Sequence, residues 1–308
     1  MLNKTCIVIS GATAAGKTKL SLQLAAYFKT NIISADSRQC YRELNIGVAK
    51  PTASDLKKIK HYFINTHSIH EEVNAGRFET YALRAVTEIF EQHDTAIMVG
   101  GTGLYLKAFC RGMDDMPEVK DQIRQWVRQQ YETLGINWLQ EMLQQHDPVF
   151  YGKGEMRNPQ RMMRALEVKL SSGKSILELH SMPQKQRKFS IVSIGVELPR
   201  KNIYHNINKR ADDMMEEGLL KEATALYPNR HLNALQTVGY TEIFDYIDGK
   251  HTLQQAVDTI KKNTRHYAKR QLTWFKKDKT IHWFAPDDVK SIINFIEGQI
   301  NTKQQSTF

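Results

Sequence analysis

A glycine-rich segment near the start of the chain constrains its fold more than any other feature. The segment matches the phosphate-binding pattern G-x-x-x-x-G-K-[ST] in full: Gly11-Ala12-Thr13-Ala14-Ala15-Gly16-Lys17-Thr18. The apolar run before it predicts a buried strand, and apolar residues on one face predict a helix after it. In that context backbone amides and a helix N-terminus converge on phosphate oxygens. We therefore expect a phosphate site, not an ordinary glycine-containing turn, in which Lys17 neutralises the terminal phosphates and Thr18 reaches a bound Mg²⁺ ion.

Further strands alternate with helices along the chain. Apolar, strand-like runs occur at residues 5–10, 31–35, 95–99, 191–197 and 281–284. This alternation predicts an α/β fold with a parallel sheet of the P-loop NTPase type, whose ligands bind at the carboxyl ends of the strands. Helices are also expected over about residues 78–92 and 261–275, and the final Asn301 to Phe308 is expected to be a loose tail.

Residues 113–188 differ in composition from the rest of the chain. They are rich in Gln, Arg, Lys and Met, and their patterns are helical throughout. Asn158 is a plausible N-cap, and Pro159 would then occupy the first helical position. We predict a P-loop α/β core with C-terminal helices over residues 1–112 and 189–308, and a helical insertion domain over residues 113–188.

Composition excludes several classes of protein. Hydrophobic residues make up 41% and charged residues 25%, which argues against a disordered, collagen-like or purely coiled-coil chain. No apolar run approaches the ~18 residues of a membrane span, and no leader is visible, so a soluble protein without a membrane role is expected. Cys6, Cys40 and Cys110 are too scattered for a disulfide framework or a zinc site, which fits the cytoplasm. Lys and Arg number 43 against 33 acids; the net charge of +10 favours a polyanionic partner.

The acidic residue expected in a nucleotide hydrolase is not where such enzymes carry it. The strand at 95–99 is followed by Gly100-Gly-Thr-Gly103, without a carboxylate to hold magnesium. An acid follows the second strand instead, within the polar cluster Asp36-Ser37-Arg38-Gln39. A lone Asp after a strand is most often a turn residue, but the cluster combines a base with Arg and Gln, which contact base edges. This arrangement argues against routine nucleotide hydrolysis.

Two basic segments leave alternatives open. Gln160 and Arg164, in Gln160-Arg161-Met162-Met163-Arg164, are one helical turn apart and alone would indicate a solvated face. Residues 261–279 hold eight Lys or Arg residues against one acid, with Tyr267, Trp274 and Phe275 among them. Such a stretch is typical of a surface that follows a phosphate backbone and stacks on bases, and equally of an amphipathic helix with its aromatics in the core.

These residues resemble the tRNA dimethylallyltransferase (isopentenyltransferase) family over residues 5–284. The motifs that carry the resemblance, in family order, are Gly11 to Thr18, Ile33-Ser-Ala-Asp-Ser-Arg-Gln39 with Tyr41-Arg42, Ile46-Gly-Val-Ala-Lys-Pro51, Val99-Gly-Gly-Thr-Gly-Leu-Tyr105, Asn158-Pro-Gln-Arg-Met-Met-Arg-Ala-Leu-Glu167, Val238-Gly-Tyr240 and Thr264-Arg-His-Tyr-Ala-Lys-Arg-Gln-Leu-Thr-Trp-Phe275.

The resemblance implies transfer of a dimethylallyl group from dimethylallyl diphosphate to N6 of adenosine 37, beside the tRNA anticodon. It implies that the P-loop and Arg210 hold the diphosphate with Mg²⁺, that Asp36 is the general base, and that Thr102 contacts the target nucleotide. It also implies a monomer whose insertion grips the anticodon stem-loop. The implied tRNA-contacting residues are Asp36, Ser37, Arg38, Gln39, Thr102, Lys120, Gln160, Arg161, Met162, Met163, Arg164, Gln236, Thr237, Val238, Gly239, Tyr240 and Thr241.

The sequence departs from the family pattern at a few positions, none of them the expected base or the P-loop lysine. The positions are Ala12 for a usual Pro, Ala15 for Ser, Asn45 for Asp, Val48 for Thr, Arg77 for an acid and Lys120 for an Arg. Lys120 keeps the charge but loses the planar guanidinium. The zinc-finger extension of eukaryotic relatives is not in this sequence, so it resembles the bacterial type.

Three other functions stay open at this point. A P-loop small-molecule kinase would transfer phosphate from ATP. An enzyme that prenylates free adenine nucleotides would have little need for the insertion or the basic stretch. A non-catalytic RNA-binding module would not need an intact P-loop beside Asp36.

Overall fold

The chain folds into two compact units. The computed structural model describes residues 4–114, 116–179 and 185–305. One unit, the core unit, combines the chain up to residue 111 with the chain from residue 186 onward, and the other, the insertion unit, spans residues 112–185. The boundaries predicted from composition were 113 and 188.

The core unit is built on a six-stranded, wholly parallel sheet. Its strands are β1 (Thr5–Gly11), β2 (Ile32–Ser34), β3 (His61–Tyr62), β4 (Thr95–Gly100), β5 (Ser190–Val196) and β6 (His282–Phe284). In space the order is β3-β2-β4-β1-β5-β6, so the strand before the P-loop is central. Every residue of β1 is buried, as its unbroken apolar pattern predicts. The predicted parallel α/β fold is confirmed.

Helices cover the sheet and carry part of the site described below. In the core unit they are α1 (Lys17–Tyr27), α2 (Ala53–Lys58), α3 (Ala75–Gln92), α4 (Gly103–Arg111), α9 (Arg200–Glu216), α10 (Leu219–Leu226), α11 (Tyr240–Ile247), α12 (Leu253–Phe275) and α13 (Val289–Gln305). In the insertion unit they are α5 (Asp121–His146), α6 (Pro148–Lys153), α7 (Pro159–Ser172) and α8 (Ile176–Leu179). Short 3₁₀ turns lie at Ile46–Val48, Tyr227–Asn229 and Asn233–Leu235.

Two predictions about the C-terminal region need correction. Helix α12 begins well before residue 261, because Thr252 accepts a hydrogen bond from the Gln255 N–H and Gln255 bonds back to the Thr252 N–H. The predicted loose tail is helical as far as Gln305, because α13 buries Ile292 and Ile296 in the main core. Residues 306–308 lie outside the described part of the chain.

The insertion unit has its own hydrophobic core between α5 and α7. Val127, Leu139 and Leu143 of α5 pack there with Met162 and Leu166 of α7. As predicted, Asn158 caps α7 by accepting from the Arg161 N–H, and Pro159 follows it. A residue with φ of 77° and ψ of −166°, Gly135, interrupts the helical backbone within α5.

One buried arginine holds the chain where it re-enters the core unit. Arg187 donates to the carbonyls of Ala108 and Phe109, each at 2.7 Å, and so satisfies backbone acceptors at the end of α4. It also pairs with Glu79 of α3 at 2.7 Å.

Among the helices of the described residues, none combines the length and the apolar composition that a membrane-spanning segment needs.

Candidate active site

The P-loop lies between the central strand β1 and helix α1, as the sequence predicts. Lys17 is the first residue of α1 and Gly16 precedes it in a left-handed conformation, with φ of 92°. The loop is held by side chains from distant helices: Asn206 of α9 donates to the Ala14 carbonyl at 3.1 Å, and Gln271 of α12 accepts from the Thr13 N–H at 2.8 Å. The loop is therefore fixed by tertiary contacts as well as by its own turn.

The position of Lys17 in the P-loop alters the pKa of its ammonium group. Its Nζ donates to the Ala12 carbonyl at 2.6 Å. Burial lowers the pKa of Lys17 to about 8, because the ammonium loses water; the Asp36 carboxylate opposes that effect and the Arg210 guanidinium adds to it. An anion bound beside this lysine would restore the charged form, so the loop is electrostatically prepared for phosphate groups.

Asp36 follows β2 and is oriented by the backbone that comes after it. Its Oδ1 accepts from the Arg38 N–H at 2.8 Å and from the Gln39 N–H at 3.3 Å. Among the described residues, nothing donates to Oδ2. The carboxylate is thus anchored by one oxygen while the other is available to a ligand.

Thr102 lies beside this carboxylate because the loops after β2 and β4 are tied together. The Thr102 Oγ1 accepts from the Ser37 N–H at 3.1 Å, and the Thr102 N–H donates to the Ala35 carbonyl at 3.3 Å. Since Oγ1 is already an acceptor, the hydroxyl can still donate its own hydrogen. Thr102 therefore offers a donor on the same side of the site as Asp36.

A cavity of about 560 Å³ opens in front of these loops within the core unit. The predicted site residues that line it are Thr13, Asp36, Ser37, Arg38, Arg210, Gln236, Thr237, Val238, Gly239 and Thr241. Lys17, Thr18, Gln39 and Thr102 lie outside its wall, although Thr102 is bonded to Ser37 and Gln39 supports the carbonyls of Val48 and Ala49. Arg210 of α9 reaches the P-loop, with Nη1 3.5 Å from the Thr13 Oγ1. The cavity thus combines a phosphate loop, the guanidinium groups of Arg38, Arg210 and Arg270, and the carboxylates of Asp36 and Glu242.

Several cavity residues were not assigned from the sequence. They are Gly47, Val48, Ala49, Glu242, Asn263, Thr264, His266, Tyr267 and Arg270, together with apolar side chains of α9 and α12. The motifs that contain them were visible in the sequence. Their place in one wall was not, because it depends on contacts between segments more than 150 residues apart.

Tyr240 does not face the cavity, which corrects the prediction that its side chain contacts RNA. It is fully buried, and its hydroxyl donates to Glu222 Oε1 at 2.6 Å. Glu222 also accepts from the N–H groups of Ile46 and Gly47 at 2.9 and 3.1 Å. Tyr240 and Glu222 therefore support the cavity loop at 46–49 from behind.

Helix α12 has one buried face and one exposed basic face, and the role of the exposed face in binding nucleic acid stays a prediction. Ala268, Gln271 and Phe275 are buried, whereas Tyr267 and Trp274 are 37% and 41% exposed. Its outer face forms a second hollow of about 420 Å³ lined by His266, Lys269, Arg270, Thr273, Trp274 and Lys277. We call these six residues the outer face of α12. It shares His266 and Arg270 with the cavity. In the described part of the chain Lys269, Arg270 and Lys277 have no acidic partner.

The insertion unit exposes part of its predicted RNA-contacting set. Lys120, Gln160 and Arg161 are exposed. Arg164 is half-buried and lies 3.5 Å from Glu167. The resemblance includes Met162 and Met163 in a tRNA-contacting segment, but both side chains are buried in the core of the insertion unit, where they pack α7 against α5.

The described residues contain no group of three or more His, Cys, Asp or Glu side chains arranged to hold a metal ion. The donor suited to a hard cation is Thr18, which is exposed at the start of α1. Mg²⁺ is commonly held by one or two protein oxygens together with phosphate oxygens. This site therefore fits Mg²⁺ as a companion of a bound diphosphate, not as an ion caged by the protein alone.

Comparison with known sequences gives one family. The IPP transferase family model matches residues 39–278. A tRNA dimethylallyltransferase of Flavobacterium johnsoniae is 47% identical over 300 residues, which cover 95% of this chain and 97% of that protein. The tRNA dimethylallyltransferase 1 of Bacteroides fragilis is 42% identical over 300 residues, covering 97% of this chain and 100% of that protein.

Comparison with solved structures agrees. The full-length tRNA isopentenylpyrophosphate transferase of Bacillus halodurans superposes with a TM-score of 0.74 at 34% identity, covering 99% of both chains. A eukaryotic dimethylallyltransferase, described as acting on tRNA, superposes with a TM-score of 0.78 at 26% identity, covering 93% of this chain and 75% of that one. On sequence and structure alike, the chain belongs to the IPP transferase family.

Proposed function

We propose that this protein transfers a dimethylallyl group from dimethylallyl diphosphate to N6 of adenosine 37 in tRNA. The observation that carries the proposal is the composition of the cavity: Thr13 of a complete P-loop, Arg210 and Asp36 line one space, while β4 ends without a carboxylate. A phosphate site beside the Asp36 carboxylate suits a reaction in which diphosphate leaves and a proton is removed. The names of the relatives support the same reaction.

The donor would be held by its diphosphate. The P-loop amides, Lys17 and Arg210 supply positive charge where the leaving group gains negative charge, which lowers the barrier to its departure. Thr18 would help to hold Mg²⁺ beside the diphosphate, and the ion would supply charge stabilisation of the same kind. The apolar carbons of the dimethylallyl group then face the cavity.

The acceptor would be the exocyclic amine of adenine. That nitrogen is a poor nucleophile because its lone pair is delocalised into the ring. As the bond from N6 to C1 of the prenyl group forms, the bond from C1 to the diphosphate oxygen breaks, and a proton on N6 passes to Asp36 Oδ2. Thr102 would donate its hydroxyl hydrogen to the adenine nucleotide, since its Oγ1 is already bonded to the Ser37 N–H.

Recognition of tRNA would use charge and stacking outside the cavity. The net charge of +10 and the unpaired cations on the outer face of α12 suit a phosphate backbone, and Trp274 suits a base. Ser37, Arg38, Gln236 and Thr237 in the cavity wall, and Lys120, Gln160 and Arg161 on the insertion unit, would contact the anticodon stem-loop. The target base must leave the loop stack to react, which costs a few kcal/mol.

The protein would act as a monomer, as the family resemblance implies. Its scattered cysteines, two of them buried, suit the reducing cytoplasm, where tRNA is also found.

The decisive experiment is mass spectrometry of tRNA after incubation with the protein, Mg²⁺ and dimethylallyl diphosphate. We expect one added dimethylallyl group, placed at adenosine 37 by nuclease mapping. Parallel reactions with ATP alone and with free AMP test the kinase and the free-nucleotide enzyme. Phosphate transfer from ATP, or prenylation of AMP in preference to tRNA, would contradict the proposal.

A further inference from the structure

A buried glutamine on α12 bonds two loops of the site at once. Gln271 is only 6% exposed. Its Oε1 accepts from the Thr13 N–H at 2.8 Å, and its Nε2 donates to the Gly101 carbonyl at 2.9 Å. Thr13 belongs to the P-loop that follows β1, and Gly101 belongs to the loop that follows β4. A single side-chain amide therefore joins the two loops.

The chemistry of these contacts requires glutamine. A backbone N–H needs an acceptor and a carbonyl needs a donor, so the two partners also fix which end of the amide faces which loop. Glutamate would keep the acceptor but lose the donor, leucine would lose both, and asparagine is one methylene shorter. The fit is close on the opposite side too, because a Cβ placed on Gly101 would lie 2.2 Å from Gln271 Nε2.

The two loops carry opposite halves of the reaction site. Thr13 lies in the diphosphate loop, next to Arg210. Gly101 precedes Thr102, which is bonded to the residue after Asp36. The distance between the loops therefore sets the distance between a bound donor and the base. Reacting atoms must approach to about 3–3.5 Å in the right orientation, and an error of about 1 Å can cost about 100-fold in rate.

We propose that Gln271 is a positioning residue that fixes the separation of the diphosphate loop from the Thr102 loop. The proposal rests on the proposed function, because that reaction joins a donor on one loop to an acceptor on the other. Gln271 touches neither substrate; it acts through Thr13 and Gly101.

The first test separates kcat from KM in two variants at this position. In Gln271→Leu both hydrogen bonds are lost, and in Gln271→Glu the bond to Gly101 is lost. We expect kcat to fall about 10- to 100-fold in Gln271→Leu, with less effect in Gln271→Glu, while KM for both substrates stays within about threefold. The matched control is Gln254→Leu, the same change at an exposed position of α12, which should leave kcat within about twofold.

The second test breaks the bridge from the other loop. Gly101→Ala places a methyl group against Gln271 Nε2, so it should lower kcat in the same way although no residue of helix α12 is substituted. Because both substitutions break one connection, the double variant Gly101→Ala/Gln271→Leu should be little slower than the slower single variant. If the fold-loss in kcat of the double variant equalled the product of the two single losses, the two residues would not share one bridge. Gly101→Ala and Gln271→Glu also carry the test if Gln271→Leu does not fold.

The third test does not depend on activity. Hydrogen–deuterium exchange should show the Thr13 N–H exchanging faster in Gln271→Leu than in the wild type, and unchanged in Gln254→Leu. Equal exchange in all three, or a kcat of Gln271→Leu within about twofold of an active wild type, would overturn the role of Gln271. No prenylated tRNA from the wild type, with the exchange difference present, would overturn the proposed function and leave the bridge intact.

Discussion

The loops at the strand ends and the outer face of α12 border the same cavity but are built in opposite ways. At the strand ends the polar groups are bonded to the protein: Asp36 to two backbone N–H groups, Thr102 to Ser37, and Gln271 to both loops. On the outer face, Lys269, Arg270 and Lys277 have no acidic partner among the described residues, and Trp274 is 41% exposed.

The difference teaches what each surface is suited to do. Chemistry at a single atom needs groups that are fixed before the substrate arrives. A phosphate backbone needs only positive charge at roughly the right spacing, and flexible lysines can adjust to it. Substitutions at the strand ends should therefore change rates, whereas substitutions on the outer face should change the salt dependence of RNA affinity. Variants on the two surfaces test that contrast, because they separate effects on rate from effects on the salt dependence of binding.

The largest effect is expected at Asp36. Asp36→Ala should lower kcat by about 10²–10⁴, the range for loss of a general base, because the other carboxylate in the cavity wall, Glu242, already accepts hydrogen bonds from the Gly239 N–H and from Asn263. Affinity for tRNA and for diphosphate should stay within a few-fold, measured by titration of each ligand. Near wild-type turnover in this variant would remove Asp36 from the chemistry.

Lys17→Ala should weaken donor binding as well as catalysis. Under the proposed function Lys17 would contact the diphosphate both before and during its departure. Hydrogen bonds to charged groups contribute about 1.5–3 kcal/mol, so about a 10- to 100-fold rise in KM for the donor is expected. Steady-state kinetics with saturating tRNA measures this. An unaltered KM would mean that the P-loop holds a different ligand.

The pH dependence of donor binding tests the same lysine without a substitution. The pKa of Lys17 in the empty site is about 8, and a bound diphosphate raises it, so only the protonated form binds well. Affinity should therefore be nearly full at about pH 7 and below, and fall about tenfold between about pH 7 and pH 9. Calorimetry with a non-hydrolysable donor analogue measures it. Lys17→Ala should show no such decline; a decline that persists in that variant has another origin.

Lys277→Ala on the outer face should act on salt dependence. If Lys277 contacts one phosphate, its loss lowers the log–log slope of tRNA affinity against salt by about 0.7–0.9, with kcat at saturating tRNA unchanged. Lys290→Ala, an exposed lysine on α13 outside both hollows, is the matched control. Identical slopes for Lys277→Ala and the wild type would mean that this face is merely solvated.

The smallest effect is expected on the insertion unit. Arg161→Ala should lower the same slope by about 0.7 or less, because Arg161 is exposed and has no acidic partner in the described residues. Arg164→Ala should change it less, since Glu167 already lies 3.5 Å from the guanidinium. Both variants should be titrated with tRNA over the same series of salt concentrations. A larger effect at Arg164 would mean that RNA displaces this ion pair.

Local patterns predict much of this molecule. Short segments, whose residue spacing implies their geometry, are enough to predict four features. These are the P-loop, the strands on either side of it, the cap at Asn158 and the polar cluster after β2. The family resemblance added the roles of Arg210 and Thr102 to the predicted site, because several such segments occur along the chain in the order typical of the family.

What could not be predicted depends on distant contacts. Gln271 and Thr13 are 258 positions apart, and nothing local in either segment indicates their bond. Tyr240 lies in a stretch that the resemblance assigns to tRNA contact, and only the contacts with Glu222 and Gly47 show that its side chain is enclosed.

The position of β1 in the sheet has a consequence for biosynthesis. One edge of this wholly buried strand pairs with β4, but the other pairs with β5, which begins at residue 190. A ribosome adding about 5–20 residues per second needs roughly 5–20 s to pass from the end of β4 to the end of β5. During that interval a nascent chain has an open, apolar strand edge of the kind that pairs with other chains. The insertion unit is translated within that window, and we expect nascent chains stalled inside it to depend most on chaperones.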